Sequence, residues 1–145
     1  MANDENLLEI REFVGEGYQP LIDFNCWRVA ILNYTVEIHP EQIKKFERHT
    51  KTDEVFVLLR GKGILFLGEG ESKLDDIFPQ VMELGKIYNI KHNVWHSIVL
   101  SRDGSVLIVE NNNTNEDNTE YSPLLPRHHQ VIIDFSRREQ PGEWK

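Results

Sequence analysis

Glu47, His49, Glu54 and His96 are the residues of this chain best equipped to do chemistry together. Imidazole nitrogens and carboxylate oxygens are the donors that Zn²⁺, Mn²⁺, Fe²⁺ or Ni²⁺ accept. Glu47 and His49 stand two apart, so an extended strand presents both on one face. By the same alternation Glu54 shares a face with Phe56 and Leu58, and His96 with Val94, Ile98 and Leu100. Each polar group therefore stands on an otherwise apolar wall. An isolated carboxylate there is costly. A bound cation would offset that cost, and so would hydrogen bonds from His49 and His96.

The elements that must position these groups are short and apolar, and turn chemistry separates them, as in an all-β sandwich or barrel. Residues 27–34 form the first convincing strand, and Pro40 follows it. The apolar run 55–59, the turn Gly61-Lys62-Gly63 and the run 64–67 together predict a hairpin. Residues 71–79 are polar and irregular, which predicts a loop at one mouth of the barrel. Further strands are expected at 81–84, 87–90, 94–100 and 106–109, with Asp103-Gly104 as a tight turn between the last two. Residues 3–14 suit a short helix or an added strand equally. The polar run 111–118 reads as an exposed connector. The run 131–135 is apolar enough to pair with an edge strand or to cross to a second subunit.

Two tracts of this pattern resemble the two-motif signature of the cupins, G-x5-H-x-H-x4-E-x6-G and G-x5-P-x-G-x2-H-x3-N. Glu54 and Gly61 reproduce the E-x6-G tail, His49 falls on the second histidine, and Glu47 replaces the first. Gly85 and His96 match the second motif, where Lys91, Asn93 and Leu100 replace its proline, second glycine and asparagine. Asn93 suits the turn because its side chain tolerates left-handed backbone geometry. The resemblance implies a double-stranded β-helix, or jelly-roll barrel. It implies a single domain over 1–145, with a barrel core at about 27–110 and an extension on either side. It also implies a divalent metal held by His49, Glu54 and His96, with Glu47 as a fourth ligand or as a catalytic proton-transfer group. Activities of such barrels include metal-dependent isomerases, lyases and dioxygenases.

Composition removes several other classes. At 145 residues and 39% hydrophobic, the chain can build one substantial core. A net charge of −8 opposes nucleic-acid binding, which needs clustered lysine and arginine. No apolar stretch nears the roughly 20 residues of a membrane span. The acidic start, with no basic segment leading into an apolar run, predicts a cytoplasmic protein. The single cysteine, Cys26, forms no internal disulfide and reads as a small core residue.

Other candidates have plainer readings. His39 precedes a proline and belongs at a turn, His92 at the barrel rim, and His128-His129 in an exposed segment. Lys91 reads as a solvated loop lysine. Trp95 points away from His96, toward sheet packing or a subunit contact. Open strand edges suggest a homodimer. Three functions remain: a metal-dependent enzyme acting on a small polar metabolite such as a sugar or organic acid, a metal-free binder of such a molecule, and a structural or regulatory module without catalysis.

Overall fold

The computed structural model describes Asp4 and residues 6–144. Ten strands form: β1 (Gly17–Phe24), β2 (Trp27–Asn33), β3 (Lys45–His49), β4 (Glu54–Arg60), β5 (Gly63–Gly68), β6 (Ile77–Val81), β7 (Ile87–Ile90), β8 (Trp95–Leu100), β9 (Ser105–Asn111) and β10 (Thr119–Pro123). One helix, α1 (Pro126–Glu139), follows them. The strands build two antiparallel five-stranded sheets, ordered β1-β2-β9-β4-β7 and β10-β3-β8-β5-β6.

Alternation sorts the side chains as expected. Phe56, Leu58, Leu65, Ile98, Leu100, Val106 and Ile108 meet between the sheets. Trp95 and Val99, on the opposite face of β8, join Phe46, Ile64 and Phe66 behind the second sheet. Ile132 of α1 closes that second core, and Phe135 packs against it. Trp95 is therefore a packing residue.

Several sequence expectations change. Gly61-Lys62-Gly63 does not close a hairpin: β4 and β5 lie in different sheets, and the chain crosses between them there. The Asp103-Gly104 turn is a second crossing, from β8 to β9. The two meet: a Cβ on Gly61 (φ +76°) would lie 2.7 Å from the Gly104 Cα, so glycine permits their approach. Residues 77–79, read as loop, belong to β6.

The run 131–135 is helical rather than an edge strand, because the local signals around it are those of a helix. Pro126 sits in the first turn, Arg137 and Arg138 in the last, and His128, Ile132 and Ser136 are buried at helical spacing. His128 is not exposed. Its Nδ1 accepts the Leu125 N–H at 3.0 Å, and its ring also bonds the Asp75 carbonyl. Cys26 is exposed, since Asn25 (φ +50°) and Cys26 form the two-residue turn between β1 and β2.

Within 3–14, Asn3 and Glu5 lie outside the described residues. The segment 8–14 is neither helix nor strand. Asn33 anchors its end by donating from Nδ2 to the Phe13 and Gly15 carbonyls at 3.0 and 2.9 Å. Asn93 takes the left-handed backbone expected of it, at φ +65°. Among the described residues, no helix is long and apolar enough to cross a membrane.

Candidate metal centre

Two neighbouring strands and one from the facing sheet bring the four residues together. Glu47 of β3 lies directly opposite His96 of β8 in the antiparallel register. His49 follows two residues along β3 on the same face, and Glu54 opens β4 in the facing sheet. One donor atom from each of the four lies within 4.8 Å of the others. His49, Glu54 and His96 are buried, whereas the Glu47 side chain is 40% exposed at the pocket.

Glu54 is the hub. Its Oε1 lies 3.1 Å from His49 Nε2 and 2.9 Å from His96 Nε2. Glu47 Oε1 stands 3.7 and 3.9 Å from the same two nitrogens. The other ring nitrogens are tied outward: His96 Nδ1–H donates to the Val94 carbonyl at 3.0 Å, and His49 Nδ1 lies 2.9 Å from Thr119 Oγ1. Such a second partner fixes the ring orientation of a ligating histidine and turns Nε2 into the site.

A buried carboxylate oxygen facing two imidazoles favours positive charge on them. Protons supply it in the metal-free chain. Burial opposes the charge on His96, but the hydrogen bond and charge of Glu54 prevail and hold its pKa up at about 9. His49 is raised for the same reasons. Burial likewise opposes ionisation of Glu54, yet its two imidazole partners bring its carboxyl down to about 2. A divalent cation would replace those protons, and the mixed nitrogen and oxygen donor set suits one. The residues fit a metal.

The sequence reading missed a second polar group beside the first. Glu110 of β9 pairs with Arg28 of β2 in the register and stands beside Glu54 across the β9–β4 ladder. Its Oε1 accepts from Tyr18 O–H at 2.8 Å and from Arg28 Nη2 at 2.8 Å. Its Oε2 is buried without a hydrogen-bond partner, 3.9 Å from His49 Nε2. Burial and the charge of Glu54 raise its carboxyl pKa. Alternation with Val106 and Ile108 marked Glu110 as inward-facing. Its pairing with Arg28 depended on a register that the sequence did not supply.

These groups line a pocket of about 450 Å³ between the sheets. Leu32, Ile38, Phe56, Ile98 and Ile108 give it an apolar wall, and Tyr18, Tyr121, Lys45 and Glu47 give it a polar one. The connector at 111–118 is more than a solvated link. It contains a 3-10 turn at Glu116–Asn118, and Thr114, Asn115 and Glu116 line the pocket. Tyr121 O–H donates to Glu116 at 2.9 Å, and burial together with that bond raises the phenol to about 12. His39 and His92 stand apart from the cluster. His39 ends a short 3-10 turn and bonds the Trp144 carbonyl, while the half-exposed His92 bonds Asp53. Lys91 is exposed, 3.8 Å from Asp53.

No protein-family model matches the chain, and neither does any curated protein. Solved structures do match, and they share its fold. The QdtA 3,4-ketoisomerase from Thermoanaerobacterium thermosaccharolyticum, a double mutant in complex with TDP, aligns at TM-score 0.52 and 18% identity over 88% of this chain and 84% of its own. A Streptomyces Pac13 variant with uridine aligns at 0.53 and 10% identity, covering 80% and 86%. CapF aligns at 0.55 and 17% identity over 78% of this chain but only 34% of its own. The chain has the cupin jelly-roll fold that its two motifs resemble.

Proposed function

We propose that this chain binds one divalent metal through His49, Glu54 and His96, with Glu47 in or beside the set, and acts on a small polar metabolite in the adjoining pocket. The observation that carries this reading is the convergence of both Nε2 atoms and two carboxylates at an open pocket. When bound, the metal supplies Lewis acidity toward a carbonyl or hydroxyl oxygen. The protein's own residues do the rest. Thr119 and the Val94 carbonyl hold the imidazoles in orientation.

Glu47 is the one member of the cluster with substantial solvent access, so it can reach a bound molecule. Desolvation raises its carboxyl pKa and makes it a better base than a free carboxylate. Glu47 therefore moves the proton at the substrate. Tyr18 and Tyr121 offer flat, partly polar surfaces that suit a sugar, a nucleoside or an organic acid. A pocket of this size suits a molecule on the scale of the uridine or TDP held by the structural neighbours.

A second reading has its own support. The cluster is already hydrogen-bonded within itself, so the barrel can hold a ligand without metal or catalysis. Thermal-shift screening of metal-loaded and chelated protein against sugars, nucleosides and organic acids separates the two. The enzyme reading predicts a ligand that stabilises the metal-loaded chain and is turned over, with turnover lost in Glu47→Gln while binding persists. A ligand bound equally well after chelation, and never converted, would favour the metal-free binder.

A further inference from the structure

The inner face of β3 carries three polar side chains in a row, Lys45, Glu47 and His49, each two residues from the next. Glu47 and His49 belong to the metal centre. Lys45 lies beyond it, exposed and lining the same pocket. From β10, Thr119 stands opposite His49 and Tyr121 opposite Glu47 in the register. Glu116 holds the Tyr121 hydroxyl, and the Lys45 ammonium lies over the Tyr121 ring, 3.9 Å from its centre. That contact fixes the end of an otherwise flexible side chain.

Arg28 and Lys45 both line the pocket, but only one of these cations is available to a ligand. Arg28 is committed: Nε and Nη2 bond Glu110, while Nη1 and Nη2 bond the Asn112 and Thr114 carbonyls. Among the described residues, no carboxylate forms an ion pair with the Lys45 ammonium. The chain has 24 acidic residues against 16 lysines and arginines, so an inward-facing lysine without an acidic partner calls for a reason. The carboxylates around it are engaged elsewhere: Glu54 by two imidazoles, Glu110 by Arg28 and Tyr18, and Glu116 by Tyr121. We propose that Lys45 is the anion-binding residue of this pocket, and that the small metabolite bound there carries a carboxylate or phosphate group which Lys45 holds. The proposal rests on the reading of the pocket as a small-molecule site beside the metal centre.

Lys45, Glu47 and His49 then divide one ligand between them. Successive residues on one face of a strand stand about 6.6 Å apart. Glu47 therefore meets the ligand between its anionic group and the end that lies at the metal centre. Lysine suits the first duty, because an ammonium is a compact point charge that pairs with carboxylate and phosphate alike. The class so defined includes sugar phosphates and hydroxy acids. Neutral sugars and free nucleosides lack the group that Lys45 would hold.

Isothermal titration calorimetry on the full chain loaded with Zn²⁺ tests the proposal with matched probes. These are ribose 5-phosphate against ribose, uridine monophosphate against uridine, and gluconate against glucose. At least one anionic probe should bind about tenfold or more tighter than its neutral twin, a preference that added salt erodes. The phosphate and carboxylate pairs show which anion the site takes. Lys45→Gln should abolish the preference and Lys45→Arg should keep most of it, with zinc content unchanged in both, since Lys45 is exposed and outside the metal cluster. A preference undiminished in Lys45→Gln would belong to the metal alone and would overturn the proposal. Equal affinity within every pair, or no binding of any anionic probe, would overturn it too. A chain that takes up no metal but keeps a Lys45-dependent preference would refute the metal centre and uphold the anion site.

Discussion

Replacing Glu54 by Gln removes the charge that raises the pKa of both histidines without removing the side chain's volume. In the metal-free wild type, His96 titrates at about 9 against an ordinary 6.5. Burial works in the opposite direction throughout. Once Glu54 is neutral, only the Glu47 charge and the Val94 carbonyl still favour the charged form against burial, so His96 should fall toward 6.5. That change of about 2.5 pH units corresponds to about 3 kcal/mol.

The sign of the stability change follows from linkage. A histidine whose pKa is raised by folding stabilises fully below its unfolded value of 6.5, and that contribution is lost as pH rises through 9. Glu54, lowered from 4.5 to about 2, stabilises above 4.5 and loses its contribution as pH falls toward 2. The two shifts describe one interaction, so the cluster contributes most between pH 4.5 and 6.5. Between pH 6.5 and 9.5 the wild-type Tm should drop by about 6–12 °C from this source, at 2–4 °C per kcal/mol for a chain of this size.

Histidine Cε1–H NMR across the pH range, on chelated protein, reads the titration directly, and scanning calorimetry reads the stability. Glu54→Gln should abolish the alkaline loss. Wild-type His96 titrating at or below 6.5, or a variant with an unchanged midpoint, would refute the reasoning.

Other consequences follow from the same geometry. Metal must displace the proton on His96, so affinity should rise at least about tenfold per pH unit up to about pH 9, measured by competition with a chromophoric chelator. Thr119→Val removes the partner of His49 Nδ1 and should weaken metal binding about 10- to 100-fold with little change in unfolding midpoint. Glu110→Ala leaves the largely buried Arg28 without its carboxylate and should cost about 2–3 kcal/mol in urea unfolding. Glu110→Gln still accepts from Tyr18 and Arg28 and relieves the repulsion with Glu54, so it should cost under about 1 kcal/mol.

The site was legible in the sequence to the extent that alternation decides it. Glu47, His49, Glu54 and His96 face one space because each occupies the inward parity of its own strand, and parity survives any error in strand boundaries. Which strands share a sheet was not legible. Gly61-Lys62-Gly63 serves equally well to close a hairpin or to cross from β4 to β5 in the facing sheet. β1 escaped notice because Pro20 and Asp23 interrupt its apolar pattern, and its register slips between Pro20 and Ile22. The helix was mistaken for a strand because Val131, Ile132 and Ile133 are short and β-branched, while the deciding signals lie in the flanking turns. Glu110 and Arg28 stayed hidden for a related reason. A buried charge is interpretable only beside its partner, and that partner lies 82 residues away.

Elemental analysis of protein purified without an affinity tag or chelator tests the central claim most directly, alongside His49→Ala and His96→Ala. The account predicts close to one divalent ion per chain, bound through the Nε2 atoms and Glu54, and its loss from both variants. Wild-type protein that is metal-free, and that takes up none of Zn²⁺, Mn²⁺, Fe²⁺ or Ni²⁺ at alkaline pH, would contradict it.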